Sequence, residues 1–509
     1  MPLVHKHNPC RPRHETRIRT FVFVLAMMAA CTSNSAPEDS RESLLRIDEE
    51  PPGPNCEFGG TAVHAGIDTN EDGDLDDDEI TETEYLCDDD PGIFTGVWHG
   101  HYVIRTALDV RFMQASEITG DLTILAGLPS LELPALRVVG GTLSSNNSSS
   151  SMALSNLTRA GSVAIGSSAI TPSIDLSALV TVEGDAAFSM NGTLDISSLA
   201  SVQGDALFNA STIQNVPALA TVQGDLTIEG ELEQVGLPML ASVTGSLHLQ
   251  TNSTTLSFPR LTSVGGELSV RTAATSLEGF PVLISVGALD IDGANLQNLS
   301  ALSAIVGNVE SLSISGGQLE SLTGLEGITS IATDLILNNN PSLLDVSALS
   351  ELQTVGGSIY ILGNASLTSL AGLSSLTTAS AAVVDGNPVL SVGEPITSAP
   401  IPEVTLTNNG FTALAFSQAQ FTRLRIANES NLTSVAAPNL TAVVGSPGLQ
   451  LLRCDVLESV SMPVLDTVSN GAFVDNPNLP ACSIDALLAQ LSSSPPWTNT
   501  GNDELATCP

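Results

Sequence analysis

The residues of this 509-residue chain with the clearest chemical potential lie in one acidic stretch, DTNEDGDLDDDE, at positions 68–79. Oxygen-bearing side chains recur there at alternate positions, a glycine stands in the middle and a glutamate comes last, which is the spacing of a calcium-binding loop. Calcium takes six to eight oxygen ligands, the glycine permits a sharp turn, and the final glutamate contributes two oxygens. The sequence therefore predicts calcium as a cofactor, with these ligands: Asp68, Asn70, Asp72, Asp74 through its backbone carbonyl, Asp76 and Glu79.

The segments on either side of this loop predict strands. The loop matches the EF-hand pattern, but CEFGGTAVHAG before it is rich in glycine and ITETEYLC after it alternates polar and apolar residues. Alternation and threonine favour strands over the helices of an EF-hand. A solvated acidic loop is the alternative interpretation, although carboxylates held within a few ångströms of one another repel.

The N-terminus carries the pattern of an export signal. A basic stretch, RPRHETRIRT, precedes the apolar run FVFVLAMMAAC. This order is typical of a secretory signal peptide, and the run is too short to span a bilayer. The ending MAAC resembles the lipobox of bacterial lipoproteins, with Met28 where leucine is usual. The resemblance implies that Cys31 is acylated and holds the protein on a membrane; the alternative is an ordinary signal peptide.

The seven cysteines fall into a simple pattern. If the protein is exported, this pattern predicts disulfides, since exported proteins form them. Cys56 and Cys87 bracket the acidic loop, whereas Cys482 and Cys508 bracket the C-terminal segment. We therefore predict the disulfides Cys56–Cys87 and Cys482–Cys508, each contributing ~3–4 kcal/mol in the chain-entropy description. Cys454 is predicted to be a buried free thiol that packs as a small apolar side chain.

Residues 56–87 together resemble a small uncharacterised module found near the N-termini of bacterial exported proteins. That resemblance implies an exported, disulfide-bonded module and implies no activity.

The rest of the chain is repetitive. From residue 118 onwards one phrase returns as ITGDLTI, VEGDAAF, VQGDALF, VQGDLTI and VTGSLHL, with its glycines 20 to 23 residues apart. The glycine tolerates the bend that enters the strand, and the alternating aliphatic residues point inwards from that strand. A second phrase, such as VPALATV or LPMLASV, precedes the glycine and supplies the opposite wall. Asparagine and serine at equivalent turns can form ladders. This period predicts a mostly-β solenoid of about 17 coils with about 20–24 residues per coil.

The phrases xxGDLxI and LxxLxxVGG, from about residue 94 to residue 509, resemble those of receptor L-domains. These are right-handed β-helix, leucine-rich-repeat-like domains of growth-factor receptors and of fungal GPI-anchored wall proteins. The resemblance implies a right-handed β-helix with a binding or structural role at a cell surface and no catalysis. Trp98 and Tyr102 are expected to cover the first coil, and a short helix at 483–491, with Ser483 as its N-cap, the last.

Charge excludes one class of partner. The formal net charge is −39 and Lys6 is the only lysine, so nucleic acid and anionic membrane surfaces are repelled. His99 and His101 could hold a metal in principle, although histidines of this kind are more often surface residues that bind no metal. A catalytic carboxylate pair is not repetitive, whereas several aspartates recur at one repeat position and predict a capping ladder: Asp121, Asp185, Asp205 and Asp225.

These observations predict a non-catalytic surface lipoprotein of a bacterial envelope, placed at the outer membrane, whose solenoid is a scaffold for adhesion to a protein or glycan ligand. A carbohydrate-active enzyme on a β-helix and a purely structural spacer are the alternatives. The predicted organisation is a signal peptide at 1–30, a lipidated flexible tether at 31–54, a calcium-loop module at 55–90, and a solenoid at 91–509 with a helix and disulfide cap from about 474.

The lipid anchor has a direct test in the variant Cys31→Ser. We expect the variant to move from the membrane fraction to the soluble fraction, because the thiol that accepts the acyl chains is gone. Fractionation identical to that of the wild-type protein would show that no lipid on Cys31 anchors the chain.

Overall fold

The computed structural model describes residues 43–506, except residues 52, 57–58, 88–93, 126, 146–150, 168–171, 191, 211–215, 233, 294, 394–395, 397 and 494. The predicted signal peptide, Cys31 and Cys508 lie outside the described residues. The chain forms two compact units, Met1–Gly92 and Ile93–Pro509.

The first unit is a three-stranded antiparallel sheet in the order β1-β2-β3. The strands are β1 Ser43–Glu50, β2 Gly60–Ile67 and β3 Ile80–Cys87. A disulfide joins Cys56 to Cys87, which confirms that predicted pairing. It ties the segment before β2 to the end of β3, so the hairpin that carries the acidic loop is closed at its open end.

Strand β1 corrects the extent of the predicted tether. The sequence predicts a flexible tether at residues 31–54, but residues 43–50 pair with β2 along their whole length, from Ser43 opposite Ile67 to Glu50 opposite Gly60. The sequence SLLRIDEE has no clear apolar period, and its side chains alternate between half-buried and exposed. Its conformation comes from hydrogen bonds to a neighbouring strand, which local sequence does not encode.

The second unit is a parallel β-solenoid of about 17 turns, which confirms the predicted fold class. Equivalent strands on successive coils pair in register; Leu226 and Ile228, for example, lie beside Leu247 and Leu249. The strands are β4 Phe94–Trp98, β5 Tyr102–Ile104, β6 Met113–Ile118, β7 Leu122–Ile124, β8 Leu131–Glu132, β9 Val138–Ser145, β10 Ser151–Ala153, β11 Arg159–Ser167, β12 Ser173–Asp175, β13 Thr181–Val182, β14 Ala186–Met190, β15 Thr193–Asp195, β16 Ser201–Val202, β17 Ala206–Ala210, β18 Thr221–Val222, β19 Leu226–Gly230, β20 Gln234–Gly236, β21 Ser242–Val243, β22 Leu247–Thr251, β23 Thr255–Ser257, β24 Ser263–Arg271, β25 Ser285–Asp292, β26 Gly307–Val309, β27 Leu312–Ser315, β28 Ile328–Ile331, β29 Leu335–Asn338, β30 Thr354–Val355, β31 Ser358–Leu362, β32 Ala381–Asp385, β33 Glu403–Thr407, β34 Ala413–Ala415, β35 Gln420–Phe421, β36 Arg423–Ala427, β37 Ser434–Ala436, β38 Ala442–Val443, β39 Leu449–Leu452, β40 Ser459–Ser461, β41 Thr467–Val468, β42 Gly471–Val474 and β43 Trp497–Thr500.

The core of the solenoid consists of columns of identical or similar side chains. Most members are leucine, isoleucine and valine with almost no exposed surface. Aromatic residues also stack: the rings of Phe188 and Phe208 lie 5.7 Å apart and those of Phe258 and Phe280 4.8 Å apart, both nearly parallel. Each coil therefore covers the apolar face of the next, and a single coil would leave that face in water.

The repeated glycines are required by close approach between coils rather than by a special backbone angle. The sequence suggested that glycine tolerates a bend, but Gly204 and Gly224 do not have positive φ angles. A Cβ atom on Gly224 would collide with the backbone of Gly204 and with the carboxylate of Asp205. That carboxylate belongs to the predicted ladder, because Asp205 Oδ1 accepts a hydrogen bond from the backbone N–H of Asp225 at 2.8 Å.

A second ladder of buried asparagines runs through the C-terminal half. The Nδ2 group of Asn364 donates to the carbonyl of Leu337 at 3.0 Å, and its Oδ1 accepts from the backbone N–H of Asn340 at 3.1 Å. Each amide thus bridges two coils and satisfies backbone groups that the turn leaves unpaired. The remaining rungs of this kind are Asn340, Asn387, Asn409, Asn476 and Asn502.

Two consecutive rungs of this ladder depart from asparagine. Glu429 is fully buried, and its carboxyl oxygens accept hydrogen bonds from the backbone N–H of Asn409 at 3.1 Å and from its Nδ2 at 2.9 Å. Burial raises the pKa of Glu429 to about 7. The next rung is Cys454, a buried free thiol as predicted, whose pKa burial raises to about 11.

The two ends of the solenoid are covered differently. Trp98 contacts both Phe94 and Tyr102 edge to face at the first coil. The helix α1 Ala107–Phe112 follows and begins at a capping box. At the far end the helix α2 is Ala481–Ala489, preceded by Pro480. It begins earlier than the sequence predicted, because the hydroxyl of Ser483 donates to the carbonyl of Pro480 within the first turn instead of capping the helix.

No helix in the described part of the chain is long and apolar enough to cross a membrane.

Glu429 predicts a pH-dependent stability of the C-terminal coils. The folded pKa is raised from 4.5 to about 7, so the folded protein holds this proton more tightly than the unfolded chain. The stability that the proton contributes is complete below pH 4.5 and is lost as the pH rises through about 7, a change of about 3 kcal/mol. Hydrogen exchange at the amides of β33 and β36 between pH 4.5 and pH 8 would measure this loss.

Glu429→Asn should restore a regular rung and remove this pH dependence. The exposed Glu458 provides the matched control, since Glu458→Gln removes one carboxylate and leaves the ladder intact. An unchanged pH profile in Glu429→Asn would contradict the assignment.

Candidate functional site

The acidic loop occupies the turn between β2 and β3 of the first unit. Strand β2 ends one residue before Asp68, and Glu79 stands immediately before β3. Pairing of Gly66 with Ile80 brings the two ends of the loop together. The antiparallel hairpin therefore places the first and last predicted calcium ligands at the same end of the sheet.

Side-chain oxygens fix the backbone of this loop. The N–H of Gly73 donates to Asp68 Oδ2 at 2.9 Å, that of Asp72 to Asn70 Oδ1 at 2.9 Å, and that of Asp74 to Asp72 Oδ1 at 3.0 Å. Gly73 has a φ angle of +89°, which side chains with a Cβ rarely adopt. Three predicted ligands thus hold the loop in shape through one oxygen each.

The second oxygen of Asp68 has no partner among the described residues. The side chain is 4% exposed, and Oδ1 is buried without a hydrogen bond. Leaving a charged acceptor buried and unsatisfied is costly. This atom is the one position in the loop where the structure shows an unmet demand for a donor or a cation.

Glu79 is engaged by donors from the loop itself. Its Oε1 accepts from the hydroxyl and the backbone N–H of Thr69, both at 2.7 Å, and from the N–H of Asn70 at 3.1 Å. Its Oε2 accepts from the N–H of Asp76 at 3.1 Å. The Thr69 hydroxyl and these N–H groups lower the pKa of Glu79 to about 2, so its carboxylate is ionised and tightly held.

The other predicted ligands are exposed, and among them Asn70 Nδ2 donates to Asp76 Oδ2 at 3.2 Å. Repulsion from Asp72, followed by desolvation, raises the pKa of Asp76. Within the described residues, no three Asp, Glu, His or Cys side chains lie where they could hold a metal ion together. The loop therefore has the donor types for calcium but not a closed ligand shell, because Glu79 points its oxygens at N–H groups.

Arg46 on β1 ties the loop to the sheet, a role that the sequence analysis did not assign. Its guanidinium donates to the carbonyl of Leu75 at 2.8 Å and to the carboxylate of Asp77 at 2.7 Å, while Nε donates to Asp48 at 2.8 Å. Leu75 is itself buried. Arg46 was missed because its partners are 29 and 31 residues away, and only the pairing of β1 with β2 brings them together.

The remaining predicted site residues are placed as follows. Cys482 is disulfide-bonded, and its predicted partner Cys508 lies outside the described residues, as does Cys31. His101 lies on the surface, and its Nδ1 accepts from the backbone N–H of Asp121 at 3.0 Å.

A polar groove crosses the outer face of the solenoid. Its volume is about 700 Å³, and it follows one outward position on five neighbouring strands, β17, β19, β22, β24 and β25. These positions pair in register from coil to coil and form a single row: Asn209, Glu229, Gln250, Arg271 and Asp292.

A second outward row lies beside the first. Thr227, His248 and Ser269 line an adjoining hollow of about 190 Å³ together with members of the first row. Arg271 Nη2 lies 3.4 Å from Asp290 and its Nε 4.0 Å from Asp292, and the Arg271 side chain is half exposed. The groove therefore offers carboxylate, amide and guanidinium groups that remain accessible to a ligand.

The repeat pattern contains the signal for this row. In VQGDLTIE, VTGSLHLQ and VGGELSVR the last residue shown occupies the same outward position, immediately after the last inward residue. Aligning the repeats shows a run of unlike polar residues at this position. The concavity itself depends on how the turns that follow these strands are stacked.

Comparison with known proteins bears on the first unit. No curated protein matches the chain. Residues 42–87, which span β1 to β3 and the acidic loop, match a sequence family described as a domain of unknown function, DUF7151.

Proposed function

We propose that this protein is a non-catalytic binding scaffold of a bacterial cell envelope. The signal peptide and the lipobox-like MAAC support export and a lipid on Cys31, with the outer membrane as the site of attachment. The solenoid supplies a long, rigid surface, because every coil is hydrogen-bonded to its neighbours. In this proposal the ligand is a protein or a glycan of the cell surface, and adhesion is the outcome.

The observation that carries this proposal is the polar groove on β17, β19, β22, β24 and β25. This row gathers five hydrogen-bonding side chains along one groove. Ligand sites are concave and present a few convergent polar groups. Similarity of the repeat phrases to receptor L-domains supports the same role, since those domains act at cell surfaces.

We also propose that calcium binds the acidic loop and stiffens the hairpin. The unpartnered Asp68 Oδ1 supports this, as do the carboxylates whose repulsion raises the pKa of Asp76. The residues that would hold the ion are Asp68, Asn70, Asp72, Asp74, Asp76 and Glu79. Glu79 would exchange hydrogen bonds from Thr69 and Asn70 for contacts with the cation.

The binding role is tested with the full-length protein against a panel of envelope glycans and surface proteins. The variant Gln250→Ala/Arg271→Ala removes two groove side chains and should weaken binding at least tenfold. Asn338→Ala is the matched control, because Asn338 continues the same in-register row outside the groove. Absence of binding to every ligand would overturn the scaffold proposal, and release of sugar products would identify an enzyme instead.

The calcium proposal is tested by calorimetry and limited proteolysis. We expect one ion to bind, and a chelator to increase cleavage within residues 56–90. Asp68→Asn should weaken calcium binding by roughly tenfold or more, since it removes a charged ligand but keeps the hydrogen bond from Gly73. Asp78→Asn removes the same charge from an exposed residue that is not a proposed ligand and should change little.

Equal protease sensitivity with and without chelator would contradict a stiffening role. Equal effects of Asp68→Asn and Asp78→Asn would show that only the overall charge of the loop matters.

A further inference from the structure

We propose that the groove ligand is an extended, uncharged glycan chain lying along the stack of coils. This rests on the proposed binding function and adds the chemical class of the ligand and its direction. Three features of the groove carry it: its spacing, its lining and its charge.

The spacing of the row favours a linear polymer. Asn209, Glu229, Gln250, Arg271 and Asp292 occupy equivalent positions on five parallel strands. Neighbouring strands lie about 4.8 Å apart, so the row spans about 19 Å. With one sugar ring for each step between strands, this length holds roughly four rings. A compact ligand would meet only one or two of these side chains.

The lining favours a polyhydroxylated ligand over a protein. Protein interfaces rely on a desolvated apolar or aromatic anchor surrounded by polar contacts. No aromatic side chain lines the groove among the described residues, and its apolar members are the small Gly230 and Ala273. Hydroxyl groups both donate and accept, and so they match neighbouring carboxylate, amide and guanidinium groups.

Charge excludes anionic glycans. Glu229, Glu231 and Asp292 face the single cation Arg271 in the groove, so it carries a net formal charge of −2 (one positive and three negative groups). The chain as a whole carries −39. Sulfated or uronate polymers would be repelled, which leaves neutral sugars and, as the competing possibility, cationic peptides.

Arg271 separates these two ligands. For a neutral glycan it is a hydrogen-bond donor, so Arg271→Ala should weaken binding. For a cationic peptide it is a source of repulsion, so the same change should strengthen binding. Glu229→Gln should weaken binding of a cationic peptide, because it removes a negative charge that attracts the peptide. The variant keeps an oxygen acceptor for a sugar.

The experiment measures binding of the full-length protein to neutral gluco-oligosaccharides and chito-oligosaccharides of two to eight rings, and to oligolysine. We expect at least one neutral series to bind, with affinity rising to about four rings and then levelling off, as the span of the row requires. Arg271→Ala should lower that affinity about tenfold, whereas Asn338→Ala, which lies outside the groove, should leave it within about twofold. Arg271 is itself paired only with side chains, so its removal leaves the backbone ladder intact.

Other outcomes overturn the inference in distinguishable ways. Binding of oligolysine that Arg271→Ala strengthens, with no neutral sugar bound, would identify a cationic ligand and leave the scaffold function standing. A protein ligand whose binding is lost in Gln250→Ala/Arg271→Ala would also overturn the glycan inference and leave the scaffold function standing. Failure of every ligand class to bind would remove both the inference and the proposed function.

Discussion

The hydrogen-bonded, in-register stacking of one coil on the next is the constraint on which the rest of the solenoid depends. Each coil's strand pairs with the strands before and after it, and its inward leucine, isoleucine and valine side chains join those of its neighbours in one continuous core. The glycine of each repeat is therefore fixed by the distance between coils, since a Cβ would strike the preceding coil. The same spacing aligns outward side chains into rows, so any surface function of this fold is built from rows.

Turns need a second set of contacts, because stacking of strands leaves turn backbone groups unpaired. The asparagine ladder meets this need, because each side-chain amide on one coil binds both a carbonyl and an N–H of the preceding coil. At Glu429 and Cys454 the same position holds groups that cannot do both tasks in their ionised forms. Burial raises the pKa of both groups, that of Glu429 to about 7 and that of Cys454 to about 11. Glu429 therefore titrates near neutral pH and makes the stability of these coils depend on pH.

The first unit differs from the solenoid, because it carries an acidic loop that contains many charged side chains. Hydrogen bonds from the loop's own backbone hold Asp68, Asn70 and Asp72, and four donors hold Glu79. Arg46 fastens this loop to the sheet, and the Cys56–Cys87 disulfide closes the other end of the hairpin. In this unit, hydrogen-bond donors of the loop hold the charged side chains. In the solenoid groove the charged side chains remain accessible on the outer surface.

The sequence by itself determined the solenoid, its period and the Cys56–Cys87 disulfide. The inward aliphatic residues recur in every repeat, and the two cysteines bracket one short segment, so both signals can be recognised in the sequence alone. Tertiary structure alone decided that residues 43–50 join the sheet, that Arg46 clamps the loop, and that Glu79 turns its oxygens towards N–H groups. It also decided that five outward side chains form one groove. Those features depend on contacts between residues that lie from 10 to 31 positions apart, and the chemical type of a residue does not reveal which distant partner the fold places beside it.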